Sequence, residues 1–274
     1  MRKIIFTVAV CLFITAVLLV IGFCDFPLKA LTLSLVSTAM FIGFAFLLRA
    51  VNPKMSARRF FSLRGIRFAD IGVIFWSTVV IVSGTFLLNV ATSLFCDAVG
   101  LESTVSKLSS MNEENYLFVL ITVAILPAFT EEFFFRGAVL SSLEGRGILF
   151  SVLMTSALFT VMHGLDIYFL PTFFAGLVLA FVVRVSKSVF AAAAVHMINN
   201  ILSYILWRYA TRLFAVKLEA VMIYAAVIAL LTGALFIVSS AIRRLKKDMY
   251  RKRNILNEGE IVWAKNQDGQ EKKS

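Results

Sequence analysis

Histidine occurs only twice in these 274 residues and cysteine only three times, and each scarcity removes an option. Cys11, Cys24 and Cys96 have no C-x-x-C or related spacing, so a cysteine metal site is excluded as the organising feature. All three lie in or beside apolar segments and suit the role of small hydrophobic filler. Cys24 and Cys96 are expected near one face, at the ends of the first and third apolar runs, with no bridge required. No A-x-A cleavage site follows the N-terminal run MRKIIFTVAVCLFITAVLLVIGFC. Its apolar stretch of about 20 residues is longer than a signal-peptide h-region, and Phe23 before Cys24 suits a lipoprotein cleavage site poorly. It is read as a retained first helix. Internal repeats are also missing, and acidic side chains nearly vanish from the apolar runs.

What fills the chain instead is hydrocarbon. Hydrophobic residues make up 60% of it, against roughly 45–50% in soluble globular chains. Several runs exceed the ~18–20 apolar residues needed to cross a bilayer. The expected fold is an all-α polytopic membrane protein with about eight transmembrane helices. The spans fall near 4–23, 30–48, 69–95, 115–141, 148–165, 167–184, 188–207 and 219–241, and spans four to seven are expected to form the core bundle. Three regions follow: residues 1–114, a three-span accessory region with a basic loop; 115–207, the chemical core; and 208–274, the last span and a basic tail.

A net charge of +11 invites nucleic acid, but its distribution argues for a membrane. With the N-terminus placed in the cytoplasm, 22 of the 27 Lys and Arg fall on inner segments. The outer side keeps Lys29, Lys107, Arg208, Arg212 and Lys217. That asymmetry predicts a multi-pass protein of the cell membrane with both termini cytoplasmic. It accounts for the charge without a nucleic-acid partner. The tail sequence RRLKKDMYRKR fits a stop-transfer flank that can also touch anionic lipid.

Ionisable groups inside spans are costly and mark function or a buried pair. Only Glu131 and Glu132 are expected deep in a span, and His163 and His196 fall in neighbouring spans. Glu132 and Arg136 are i,i+4 neighbours, placed for an ion pair. Glu131 is turned about 100° away and faces something else. His196 and Asn200 share a face at i,i+4, while Asn199 is expected to point elsewhere. Counting rise per residue from the cytoplasmic end puts Glu131 about 15–18 Å deep, His163 about 22 Å, His196 about 12 Å and Asn200 about 18 Å. In hydrocarbon about 30 Å thick, one site near the midplane can hold all four. Phe133, Phe134 and Phe135 suit packing or lipid contact, and Phe159, one turn before His163, suits orienting that ring. Gly176, Ala180 and the alanines from Ala191 let helices approach closely.

EEFFFR (E-E-x-x-x-R), FTVMH from Phe159 (F-x-x-x-H) and HMINN from His196 (H-x-x-x-N) occur in that order. Together they resemble the three motifs of the type II CAAX prenyl endopeptidases. The chain is similar, over residues 115–207, to their bacterial relatives, the CPBP (Abi) intramembrane peptidases. The resemblance implies an intramembrane protease, a hydrolase of peptide bonds acting on a membrane-associated peptide or protein. It implies that Glu131 with His163 holds and deprotonates a water, while His196 and Asn200 donate hydrogen bonds to the tetrahedral oxyanion. Residue spacing alone does not separate the two histidines. Glu132, Arg136 and Phe159 are supporting residues. A metal-free mechanism is preferred; the alternative is zinc held by Glu131, His163 and His196 with one position open for water. Two other functions are weighed: a non-catalytic membrane partner such as a bacteriocin self-immunity protein, and a transporter with midplane Glu and His. Substrate identity and oligomeric state are left open.

Overall fold

In the computed structural model the described residues are 2–24, 29–100, 120–164, 169–214, 222–240 and 242–243. Most of the expected outer loop Asp97–Glu114, Lys107, Lys217 and the tail beyond Arg243 lie outside them. Among the described residues there is no strand, only an isolated bridge between Leu63 and Ser188. The helices are α1 (Arg2–Phe23), α2 (Lys29–Ala50), the short α3 (Ala57–Phe60) and α4 (Phe68–Val99). A continuous rod follows: π-helix Leu120–Ile125, α5 (Leu126–Glu132), π-helix Phe133–Val139, α6 (Leu140–Leu143) and a 3-10 turn Glu144–Arg146. After it come α7 (Ile148–Met162), α8 (Phe169–Ser186) and α9 (Val189–Phe214), then α10 (Met222–Ser240).

Five of these helices are long and apolar enough to cross a membrane: Arg2–Phe23, Leu31–Ala50, Phe68–Val99, Phe169–Ser186 and Met222–Ser240. The protein is therefore a multi-pass helical membrane protein. Expected spans five and seven are represented by the shorter apolar helices Ile148–Met162 and Val189–Ile205. Expected span four is the broken rod, whose helix type changes three times between Leu120 and Leu143. Pro127, at the start of α5, has no N–H to give to a carbonyl in the preceding turn, and the turn ahead of it is π-helical.

The chain forms two compact units, Met1–Gly233 and Ala234–Ser274. In the first, the central rod packs against α2 and α9, α1 packs on α2 and α7, and α8 lies against α4 and α7. Its core is aromatic. Phe134 stacks on Phe41 with centroids 5.3 Å apart, Phe133 stacks on Phe61 at 4.5 Å, and Phe135 meets Phe159 edge-on at 5.2 Å. Three successive phenylalanines thus point in three directions and join the rod to α2, the basic loop and α7. This apolar cluster draws on residues of 1–114 and 115–207 alike. In the second unit, the Arg243 guanidinium lies over the Phe236 ring.

The basic loop is structured. Ser56 caps α3, accepting from the Arg59 N–H at 3.4 Å, and the turn that follows drives Phe60 and Phe61 into the core, both essentially buried. Ser141 donates to the Phe60 carbonyl at 2.7 Å, and the Val189 N–H donates to the Ser62 carbonyl at 3.0 Å. Asp70, fully buried at the start of α4, pairs with Arg64 at 2.6 Å and accepts from the Arg67 N–H at 2.9 Å. Arg64 also donates to the Ser186 carbonyl. Glu131 and Glu132 are thus not the only acids withdrawn from solvent in the predicted spans. Asp70 escapes the sequence pattern because it sits at a helix start, where a capping carboxylate is ordinarily exposed. At this same end Lys3 donates to the Asn52 side chain at 3.1 Å, so the N-terminus and the basic loop share one end of the bundle. The three cysteines are free, with Cys11 and Cys96 buried and Cys24 exposed.

Helix α8 approaches α7 closely at Gly176. A Cβ there would lie 3.0 Å from Ser156 Cβ and 3.1 Å from its Cα, against backbone that does not yield. Gly176→Val should therefore destabilise the purified protein by about 1–3 kcal/mol. Thermal unfolding in detergent micelles measures it, and an unchanged midpoint would contradict the close approach.

Candidate functional site

Glu131 and Glu132 end α5 where the rod passes into its second π-helical stretch. Wide turns of this kind recur at functional positions in helices. Being consecutive, the two carboxylates face different surroundings, and their burial differs accordingly.

Glu132 is fully buried, as is Arg136. Its Oε1 accepts from Arg136 Nη1 at 2.9 Å and pairs with His196 Nδ1, also at 2.9 Å. The carboxylate oxygen accepts, so Nδ1 carries the hydrogen and the other ring nitrogen, Nε2, is left for the site. Arg136 Nη2 donates to the Gly176 carbonyl at 3.2 Å. Its guanidinium lies 4.4 Å from the Phe159 ring centroid, a cation–π distance in a desolvated setting.

Glu131 occupies the more open half. Its side chain is 14% exposed and that of His163 is 38% exposed. His163 Nδ1 donates to the Phe159 carbonyl at 2.8 Å. A carbonyl can only accept, so Nδ1 carries a hydrogen, and when the ring is neutral Nε2 presents its lone pair toward Glu131 Oε2, 3.7 Å away. That is too long for a direct hydrogen bond and suits one water bridging the two acceptors. Glu131 Oε2 is buried with no hydrogen-bond partner among the described residues, and so is Glu132 Oε2.

Phe159 sits between the two pairs. Its ring lies 4.3 Å from the His163 ring and 5.9 Å, edge-to-face, from the His196 ring, with Arg136 against it as well. The structure therefore brings together Glu131 with His163, and Glu132 with Arg136 and His196, around Phe159. Asn200 is half-buried on α9, one turn beyond His196. The hydrogen bond from His196 to Glu132 was invisible to the sequence reasoning, as was the carbonyl of Gly176 under Arg136. The first crosses between helices and the second is a backbone group, so neither leaves a residue pattern.

As zinc ligands, Glu131, His163 and His196 do not fit as they stand. Among the described residues no three His, Cys, Asp or Glu side chains gather as a metal's ligands would.

Fold and site together define a multi-pass helical membrane protein carrying a withdrawn glutamate–histidine centre. Residues 113–202 match the family model described as Rce1-like, type II CAAX prenyl endopeptidase. The resemblance carried by the three motifs is borne out over that segment. No curated protein and no solved structure matches the chain.

The two carboxylates should respond differently to loss of charge. Glu132→Gln leaves Arg136 uncompensated in a dry site, which costs about 3–5 kcal/mol, and also loosens His196. Glu131→Gln has no such cation to strand and should leave the thermal midpoint close to the parent's. Equal destabilisation by both, measured on the purified proteins in one detergent, would contradict the division.

Proposed function

We propose that the protein is an intramembrane endopeptidase that hydrolyses a peptide bond of a membrane-associated protein or peptide without a metal. The observation that carries this is the Glu131–His163 pair, two acceptors 3.7 Å apart in the open half of the site. A water donating to both is held by them and loses a proton to the carboxylate as it attacks the carbonyl carbon. His196 and Asn200 then stabilise the oxyanion of the tetrahedral intermediate. His196 donates through Nε2 when its ring carries a second proton, and the Glu132 carboxylate is the counter-charge for that form. Phe159 holds both rings in place. Collapse of the intermediate passes a proton to the leaving amine, with Glu131 returning the one it took.

Metal-free hydrolysis is favoured because no three ligand side chains converge among the described residues. Nothing in the geometry favours a transporter or a non-catalytic partner over the family's chemistry. Within the chain, residues 115–207 are proposed as the catalytic core, 1–114 as the accessory region and 208–274 as the last span and tail. Eight spans in the cell membrane, with both termini cytoplasmic, are the proposed topology. The basic-residue asymmetry supports it, as does the contact of Lys3 with Asn52 in the basic loop.

Removing a general base costs about 10²–10⁴ in rate. Membranes from cells making the parent should therefore release peptides that the Glu131→Gln variant, at equal abundance, does not. Mass spectrometry of the peptides decides it, and identical profiles would refute the proposal. For topology, reporters fused after Ile242 and within residues 52–66 should both read cytoplasmic, while one within residues 101–114 should read external. A tail reading external would remove the eight-span arrangement.

A further inference from the structure

Asn199 is left over by the mechanism above, and its environment is unusual. Its side-chain oxygen Oδ1 is buried and has no hydrogen-bond partner among the described residues. Spacing from His196 alone suggested that it points away from the site, but at i,i+3 it lies only about 60° around the helix from His196. His196 fixes which face that is, because its Nδ1 is bonded to Glu132 at 2.9 Å. Helix α9 packs against α5 and the π-helical turn before it. An orphaned acceptor therefore stands on the His196 side of α9, about one turn further along the helix from the Glu132 contact.

An unpaired buried acceptor is destabilising. Three orphaned acceptors belong to this region: Glu131 Oε2, Glu132 Oε2 and Asn199 Oδ1. Glu131 is engaged by the attacking water in the proposed mechanism, and Glu132 is neutralised through its other oxygen by Arg136 and His196. Asn199 alone is uncharged. A peptide entering a dry site brings carbonyl oxygens that need donors and N–H groups that need acceptors. The oxyanion side is provided for by His196 and Asn200, but the mechanism names no acceptor for the N–H side.

Resting on the peptidase proposal, we infer that Asn199 binds the substrate backbone: its Oδ1 accepts a peptide N–H flanking the scissile bond and sets the register of the chain across the site. The residue is then kept at a cost to the folded protein and repaid when substrate binds. A purely structural asparagine would have the opposite signature.

The test uses Asn199→Leu, which keeps side-chain size and removes the acceptor, in the full-length protein purified in detergent. The probe is a synthetic copy of a peptide segment that the parent cleaves and Glu131→Gln does not. Asn199→Leu should unfold at a higher temperature than the parent while its KM rises severalfold to tenfold and kcat changes less. A scan of single N-methylations flanking the scissile bond should find one that raises KM in the parent and is silent in Asn199→Leu. A lower midpoint with parental kinetics per folded molecule overturns the inference, and so does an N-methylation effect of equal size in both proteins. If the parent and Glu131→Gln release the same peptides, the peptidase proposal fails and this one with it. If those two differ but Asn199→Leu cleaves as the parent does, only the role of Asn199 fails.

Discussion

The buried pair of Glu132 and Arg136 is the constraint on which the rest of the site depends. Two charges withdrawn from water are a liability unless their attraction and further hydrogen bonds offset the desolvation. Here the engagement reaches into three neighbouring helices: the Gly176 carbonyl of α8, His196 of α9 and the Phe159 ring of α7. Each of those helices must stand where its group meets the pair. A lipid-soluble bundle has little hydrophobic drive to choose one packing over another, because lipid tails are as apolar as the helix faces. Polar contacts at a single height supply that choice.

From this arrangement follows the difference between the two adjacent glutamates. One is locked by a cation and an imidazole on a dry side, and the other looks into the exposed half toward an imidazole whose orientation a backbone carbonyl sets. Environment sets these two chemically identical groups apart. Phe159 contributes to both halves, its ring to the arginine and the histidines and its carbonyl to His163. The phenylalanine of the F-x-x-x-H pattern therefore does more than fill space.

Much of this was legible in the residues. The helical character, the approximate positions of the rods and the Glu132–Arg136 spacing all follow from rules acting within one segment. So does the concentration of rare polar groups in three neighbouring runs. What escaped were relations between segments. No periodicity announces that His196 reaches Glu132, that Arg64 reaches a buried Asp70, or that Phe60 and Phe61 leave a basic loop for the core. The count of membrane-crossing helices was blurred for a related reason. Apolar length identifies straight spans well, but the rod from Leu120 to Leu143 is interrupted and two of its neighbours are short.

The two wide turns in that rod carry a consequence for how the chain can vary. A π-helical stretch holds a residue more than an α-helical turn would over the same path. The azimuth of everything beyond it is therefore set by arithmetic rather than by side-chain chemistry. Losing or gaining a single residue between Leu120 and Val139 would swing the flanking segments by about 100° relative to one another. The glutamates would then face one way and the arginine or the phenylalanines another. Exchanges among lipid-facing side chains leave that phase untouched. The lipid-facing positions of this stretch should accept substitutions far more readily than insertions or deletions, like a ratchet whose teeth can be recut but not recounted.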